Sequence, residues 1–109
     1  MQGSMKALVT VNDYYVANDY RVRVCQIGKI VVVSGIIYGT GRNEYLGFSL
    51  PTFSFNSQED KANALVFMAR NQSNGAYKTL RAGGNFAIYR ESDMTAGTVY
   101  SFAFSYNSD

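Results

Sequence analysis

This sequence predicts an all-β domain, an antiparallel β-sandwich or jelly roll of about eight or nine short strands. Three observations carry that expectation. From Thr98 to Tyr106 the side chains alternate strictly, with Tyr100, Phe102, Phe104 and Tyr106 on one side and Ser101, Ala103 and Ser105 on the other, the period of two that belongs to a strand. Two β-branched runs, Tyr20 to Ile27 and Ile30 to Tyr38, meet across Gly28-Lys29, and a loop of two residues beginning with Gly suits a type II′ hairpin. Turn signals (Asn12-Asp13, Gly39-Thr40-Gly41, Asn74-Gly75, Gly83-Gly84, Thr95-Ala96-Gly97) recur at the close spacing of a β-rich chain.

Taken in order, residues 1–4 read as a cloning scar ahead of Met5 and stand outside the domain, which runs over residues 5–109. Ala7 to Val11 and Tyr14 to Ala17 are expected as two short strands separated by Asn12-Asp13. Arg21 and Arg23 alternate with Val22 and Val24, so that strand is half buried. Val31, Val32 and Val33 are continuous, which predicts a central strand covered on both faces. Tyr45 to Leu50 is expected as a strand stopped by Pro51. Residues 57–70 carry two signals: Ser57 and Asp60 could cap a helix with Ala62, Leu65 and Met68 on its stripe, whereas Leu65, Phe67 and Ala69 alternate with Val66 and Met68. The Asn74-Gly75 pair downstream favours the strand, as one arm of a hairpin. The aromatic strand closes the domain, and its small-residue face could pack against a second sheet or a second subunit.

Composition bounds the function. At 109 residues with 47% hydrophobic and 17% charged, the chain is globular and long enough to bury a core without metal or disulfide. A net charge of +2 with dispersed Lys and Arg argues against nucleic acid as a partner. The single Cys25 cannot form an intrachain disulfide, and with no His there is neither a Cys-His zinc set nor a His base. Neither a cofactor nor a metal is expected. No run approaches the roughly 18 apolar residues of a membrane span, and the N-terminus lacks the pattern of a signal peptide, so neither membrane insertion nor export by the usual route is expected. The eight acids fall almost all in turns with no spacing that favours a catalytic pair. Glu91-Ser92-Asp93 lacks the context of a calcium loop, and Asn71-Gln72-Ser73 matches a glycosylation acceptor only as a short, common pattern.

The tyrosines are more suggestive. Tyr14, Tyr15 and Tyr20 sit among Asn12, Asp13, Asn18 and Asp19, and rings interleaved with amides and carboxylates suit a saccharide site. The plainer reading is that they cap the sheet edges or fill the core, with hydroxyls directed outward.

Tyr20-Arg21-Val22-Arg23, then Ile27-Gly28-Lys29-Ile30 running to Ser34-Gly35, then Leu50-Pro51, and finally Gly97 to Tyr106 appear in an order that resembles the C-terminal head domains of phage tail-fibre, baseplate and minor structural proteins. The resemblance spans residues 14–106 and departs after Pro51, where Thr52-Phe53-Ser54-Phe55 stands in place of Gly-aromatic-Arg-Pro. It implies a β-sandwich head in a virion tail or baseplate, assembled in the host cytoplasm beside other tail proteins. Such a head is often a homotrimer, is not an enzyme, and binds a bacterial surface saccharide. Under that reading the candidate contacts are Tyr14, Tyr15, Asn18, Arg42, Asn43 and Tyr45, chosen for chemistry and loop position. A trimerisation or virion-decoration module without a ligand is the alternative, and a small glycan-degrading enzyme the third.

Overall fold

The computed structural model describes residues 9–53, 65–83 and 86–109. These form no helix and eight strands: β1 (Val9–Ala17), β2 (Tyr20–Ile27), β3 (Ile30–Tyr38), β4 (Glu44–Tyr45), β5 (Leu65–Asn71), β6 (Tyr77–Gly83), β7 (Ala87–Arg90) and β8 (Val99–Asn107). All pair antiparallel in one sheet, in the order β1-β2-β3-β8-β5-β6-β7-β4. Two meanders, β1-β2-β3 and β5-β6-β7, are thus joined by the last strand. The sheet curls on itself as a half-barrel, so one continuous sheet encloses the core.

Local chemistry sets the turns. Gly28 has φ +61° while Lys29 stays out of the positive region, which fits the type II′ loop and excludes the type I′ alternative. Asn74-Gly75 does mark a hairpin, but a longer one. Gly75 N–H bonds Asn71 O and Asn71 N–H bonds Ala76 O at 2.8 Å each, while the Asn71 and Asn74 side chains accept from Ser73 and Ala76 N–H. These Asx turns hold the loop. Gly35 is needed for space: a Cβ there would strike the Arg21 carbonyl oxygen and the Val22 Cα of the neighbouring strand.

The concave face is the core. Val22 and Val24 from β2, Val31, Val33 and Ile37 from β3, and Phe67, Leu80 and Ile88 from β5, β6 and β7 are buried. Tyr100 and Phe102 of β8 lie among them, as the alternation of the last strand predicts. Leu46, Leu50, Phe53 and Met94 come from loops and fill the hollow. Phe67 stacks on Phe104 at 4.2 Å, and Phe53 meets Tyr106 edge-on at 5.3 Å. Each such pair adds roughly 0.5–1.5 kcal/mol beyond its burial.

Three expectations need correction. Val9–Ala17 is one strand, since Asn12 and Asp13 pair in register with Cys25 and Val24; only a bulge between Val9 and Val11 interrupts it. Of Tyr45 to Leu50 only Tyr45 is in a strand, the two-residue β4 of Glu44 and Tyr45. Leu46 N–H bonds Ile88 O and Leu50 N–H bonds Phe86 O, so four residues on one side span two on the other and the excess bulges from the ladder. β3 is central, between β2 and β8, but not covered on both faces: Val31 and Val33 are 0% exposed and Val32 is 43% exposed. Of residues 57–70, Leu65 to Arg70 belong to strand β5. Residues 1–8, 57–64 and Gly84 of the Gly83-Gly84 turn lie outside the described residues.

Candidate binding surface

Period two sends every second side chain of the half-barrel to its convex face. Pairing register lines these up in rows. One row reads Val16, Arg21, Ile36, Ser101, Arg70, Tyr77 across β1, β2, β3, β8, β5 and β6. The next reads Tyr14, Arg23, Ser34, Ala103. The following row, Asn12, Cys25, Val32, Ser105, lies toward the β2–β3 turn and its exposed Ile27 and Ile30. The convex face therefore has an arginine-bearing half and an apolar half.

In the arginine half lies an open depression of about 310 Å³ lined by Tyr14, Arg21, Arg23, Ser34, Gly35 and Ile36. Gly35 and Ser34 keep its floor low, and the side chains of Tyr14, Arg21 and Arg23 rise around it. The Arg23 guanidinium lies over the Tyr14 ring, 4.7 Å from its centroid, a cation–π contact that holds both groups in place. Arg21 donates to the Ala17 carbonyl at 3.3 Å. Further along the same row, Arg70 donates to Gln72 Oε1 at 3.4 Å, and Gln72 Nε2 donates to Ser101 Oγ.

Four described carboxylates, Glu91, Asp93, Asp19 and Glu44, are committed to ion pairs away from this face. Lys78 takes Glu91 at 3.0 Å and Asp93 at 2.9 Å. Burial alone would lower the Lys78 pKa, but its hydrogen bonds to Asp93 and Glu91 and their charges outweigh it and raise the value. Asp19 and Glu44 each sit 2.7 Å from Nη2 of Arg90, which also approaches the carbonyls of Tyr38 and Asp19. Arg90 is 2% exposed. It ties the β1–β2 turn, β3 and β4 to β7 and so draws the two edges of the curled sheet together.

The structure separates the sequence candidates. Tyr14 is exposed on the convex face, in the depression. Tyr15, its neighbour, turns the other way and stacks on Phe48 at 4.3 Å with planes 5° apart, donating to Asp13 Oδ2 at 3.2 Å. Its pKa is raised, by burial first and then by the hydrogen bond and charge of Asp13. Asn18 is exposed in the β1–β2 turn. Arg42 lies 3.8 Å from Glu44, and Asn43 accepts from Ser92 N–H at 2.7 Å, so the 42–44 loop and the Asn18-Asp19 turn meet at Arg90. Tyr45 sits on the opposite edge strand from Tyr14 and meets Tyr89 edge-on at 4.9 Å.

Sequence reasoning missed Arg21, Arg23 and Ser34 as site residues. The signal was present: two arginines alternating with buried valines must both point outward, and no acid occupies an alternate position on the neighbouring strand β3. Compared with known protein families, characterised proteins and solved structures, the chain matches none.

Proposed function

We propose that this chain is a non-enzymatic binding domain of the kind found at the head of phage tail-fibre or baseplate proteins, and that it recognises a bacterial surface saccharide on the convex face of its sheet. The observation that carries the reading is the open depression in which Arg21 and Arg23 flank the Tyr14 ring over a floor of Ser34 and Gly35. Ring faces pack against sugar faces, and guanidinium N–H groups donate to sugar oxygens from a fixed fork. Glu91, Asp93, Asp19 and Glu44 are held in ion pairs away from this face, which supports binding over hydrolysis by a pair drawn from these carboxylates. As a homotrimer in a virion, the domain would repeat a shallow site and gain avidity without a new contact.

A second reading is favoured by the apolar half of the face, where Ile27, Ile30 and Val32 are exposed. Those side chains suit burial against a neighbouring virion protein, as in a decoration module without a ligand.

Labelled chain applied to a panel of purified bacterial cell-wall polysaccharides separates the two readings. Retention on at least one polysaccharide, lost in Tyr14→Ala and Arg23→Ala without a change in melting temperature, is expected. Retention on none favours the decoration module, and retention unaffected by either substitution moves the site off this face.

A further inference from the structure

We infer that the ligand of the convex face is a polyanionic saccharide, bearing carboxylate or phosphate groups, held between Arg21 and Arg23 at one end and Arg70 at the other. This rests on the saccharide reading above and deepens it.

The first support is segregation of charge. Arg21, Arg23, Arg70 and Arg81 all point to the convex side of the sheet, and among the described residues none of them makes an ion pair. Their contacts are of other kinds: a carbonyl for Arg21, the Tyr14 ring for Arg23, a Gln amide oxygen for Arg70 and the Tyr89 ring for Arg81. Each leaves most of its five donors unused. Elsewhere the same chain pairs its cations closely, with Arg90 holding two carboxylates and Lys78 two more. A protein of net charge +2 thus presents one face whose positive charge is uncompensated, and such a face attracts anions.

The second support is spacing. Arg21 and Arg23 are two residues apart on one strand, roughly 7 Å. Arg21 and Arg70 share a register row through Ile36 and Ser101, three strand spacings or roughly 14 Å. Beside Ile36, the outward residues Ser34, Ser101 and Ala103 are small, so a chain can lie close to the sheet across β3 and β8. Several charges at these distances fit a polymer with repeated acidic groups better than a single acidic sugar. Nucleic acid is disfavoured by the small net charge of +2, since binding a phosphate backbone rests on many cationic contacts.

Titration calorimetry on the whole chain with four probes tests this: an oligogalacturonate, a glycerol-phosphate polymer, a neutral maltooligosaccharide and a single-stranded oligodeoxynucleotide. One of the two acidic polymers is expected to bind at least about tenfold more tightly than the neutral one, and to weaken as salt is raised. Arg21→Gln and Arg23→Gln should each weaken it by about tenfold and Arg70→Gln by less. Lys29→Gln, which removes the same charge at the β2–β3 turn, should leave it unchanged, and thermal melts confirm that all variants fold. Which acidic polymer wins identifies the group as carboxylate or phosphate. Equal binding of the neutral probe, untouched by Arg21→Gln and Arg23→Gln, overturns the anionic inference while the saccharide reading stands. Arginine-dependent binding of the oligodeoxynucleotide alone, or of no probe, overturns both.

Discussion

Arg90 and the pair Arg21 and Arg23 are the same side chain on opposite faces of one sheet. Arg90 points inward, is buried, and is met by two carboxylates and two carbonyls. Arg21 and Arg23 point outward from β2 and meet a carbonyl and a ring. Burial explains the first arrangement, because a guanidinium taken from water must be neutralised and hydrogen-bonded or the fold does not form. It does not explain the second, since an exposed arginine needs no partner. The inner arginine is therefore committed to structure, and the outer two are free to act on something outside the chain.

The comparison breaks first at Arg90. Arg90→Ala should destabilise the domain by about 3 kcal/mol, the lower end for breaking a buried ion pair, because Asp19 and Glu44 retain 30% and 38% of their side-chain exposure and part of their hydration. Arg21→Ala should stay within about 0.5 kcal/mol of the parent. Urea denaturation measures both. Equal losses would mean that Arg21 also has a structural role, and the distinction between the faces would fail.

β3 offers the same contrast in apolar side chains, one residue apart. Val33→Ala removes two methyls from a site with no exposure, and should cost about 2 kcal/mol from lost transfer energy and the cavity. Val32→Ala, on the convex face, should change stability by less than about 0.5 kcal/mol in the isolated chain. A loss at Val32 comparable with that at Val33 would show that the convex face is already covered in solution, as in an oligomer built on its apolar half.

That contrast also shows what the sequence could disclose. Alternation from Tyr100 to Tyr106 is local, so the buried and open sides of β8 were legible, as was the Gly28-Lys29 turn, where only Gly accommodates the required φ at no cost. The Val31-Val32-Val33 run misled because an apolar run signals what could be buried and not what covers it. The placing of β8 between β3 and β5 depends on pairings such as Gly35 with Phe102 and Ala69 with Phe102, between residues far apart in the chain and without a local signature. The same holds for the way the eight strands of this sandwich-like all-β fold join into one curled sheet. Among the candidate contacts, Tyr14 and Tyr15 were grouped by chemistry, yet as strand neighbours they must face opposite ways. The arginines of β2 carried the better signal, in their alternation with Val22 and Val24.

The smallest effect concerns tyrosines. Tyr106 belongs to the concave side, donates to the Pro51 carbonyl at 2.6 Å, and is pushed by burial well above the ordinary phenol value of 10.0. Tyr106→Phe removes that bond and should cost about 1 kcal/mol, or about 4 °C in melting temperature for a domain of this size. Tyr14→Phe, on the convex face, should leave the melting temperature unchanged at neutral pH. Alkaline pH sharpens the difference. Because the folded Tyr106 pKa lies above the unfolded one, the fold holds the phenol neutral. Its contribution to stability is complete below the unfolded value and declines as pH rises past it toward the folded value, since the unfolded chain then releases a proton that the folded chain retains. Between about pH 9 and about pH 11 the parent should therefore lose melting temperature faster than Tyr106→Phe, so that the gap between them narrows. Parallel decline would mean that the Tyr106 phenol ionises as readily in the fold as in the unfolded chain, and that the concave side is open to water at the Pro51 end.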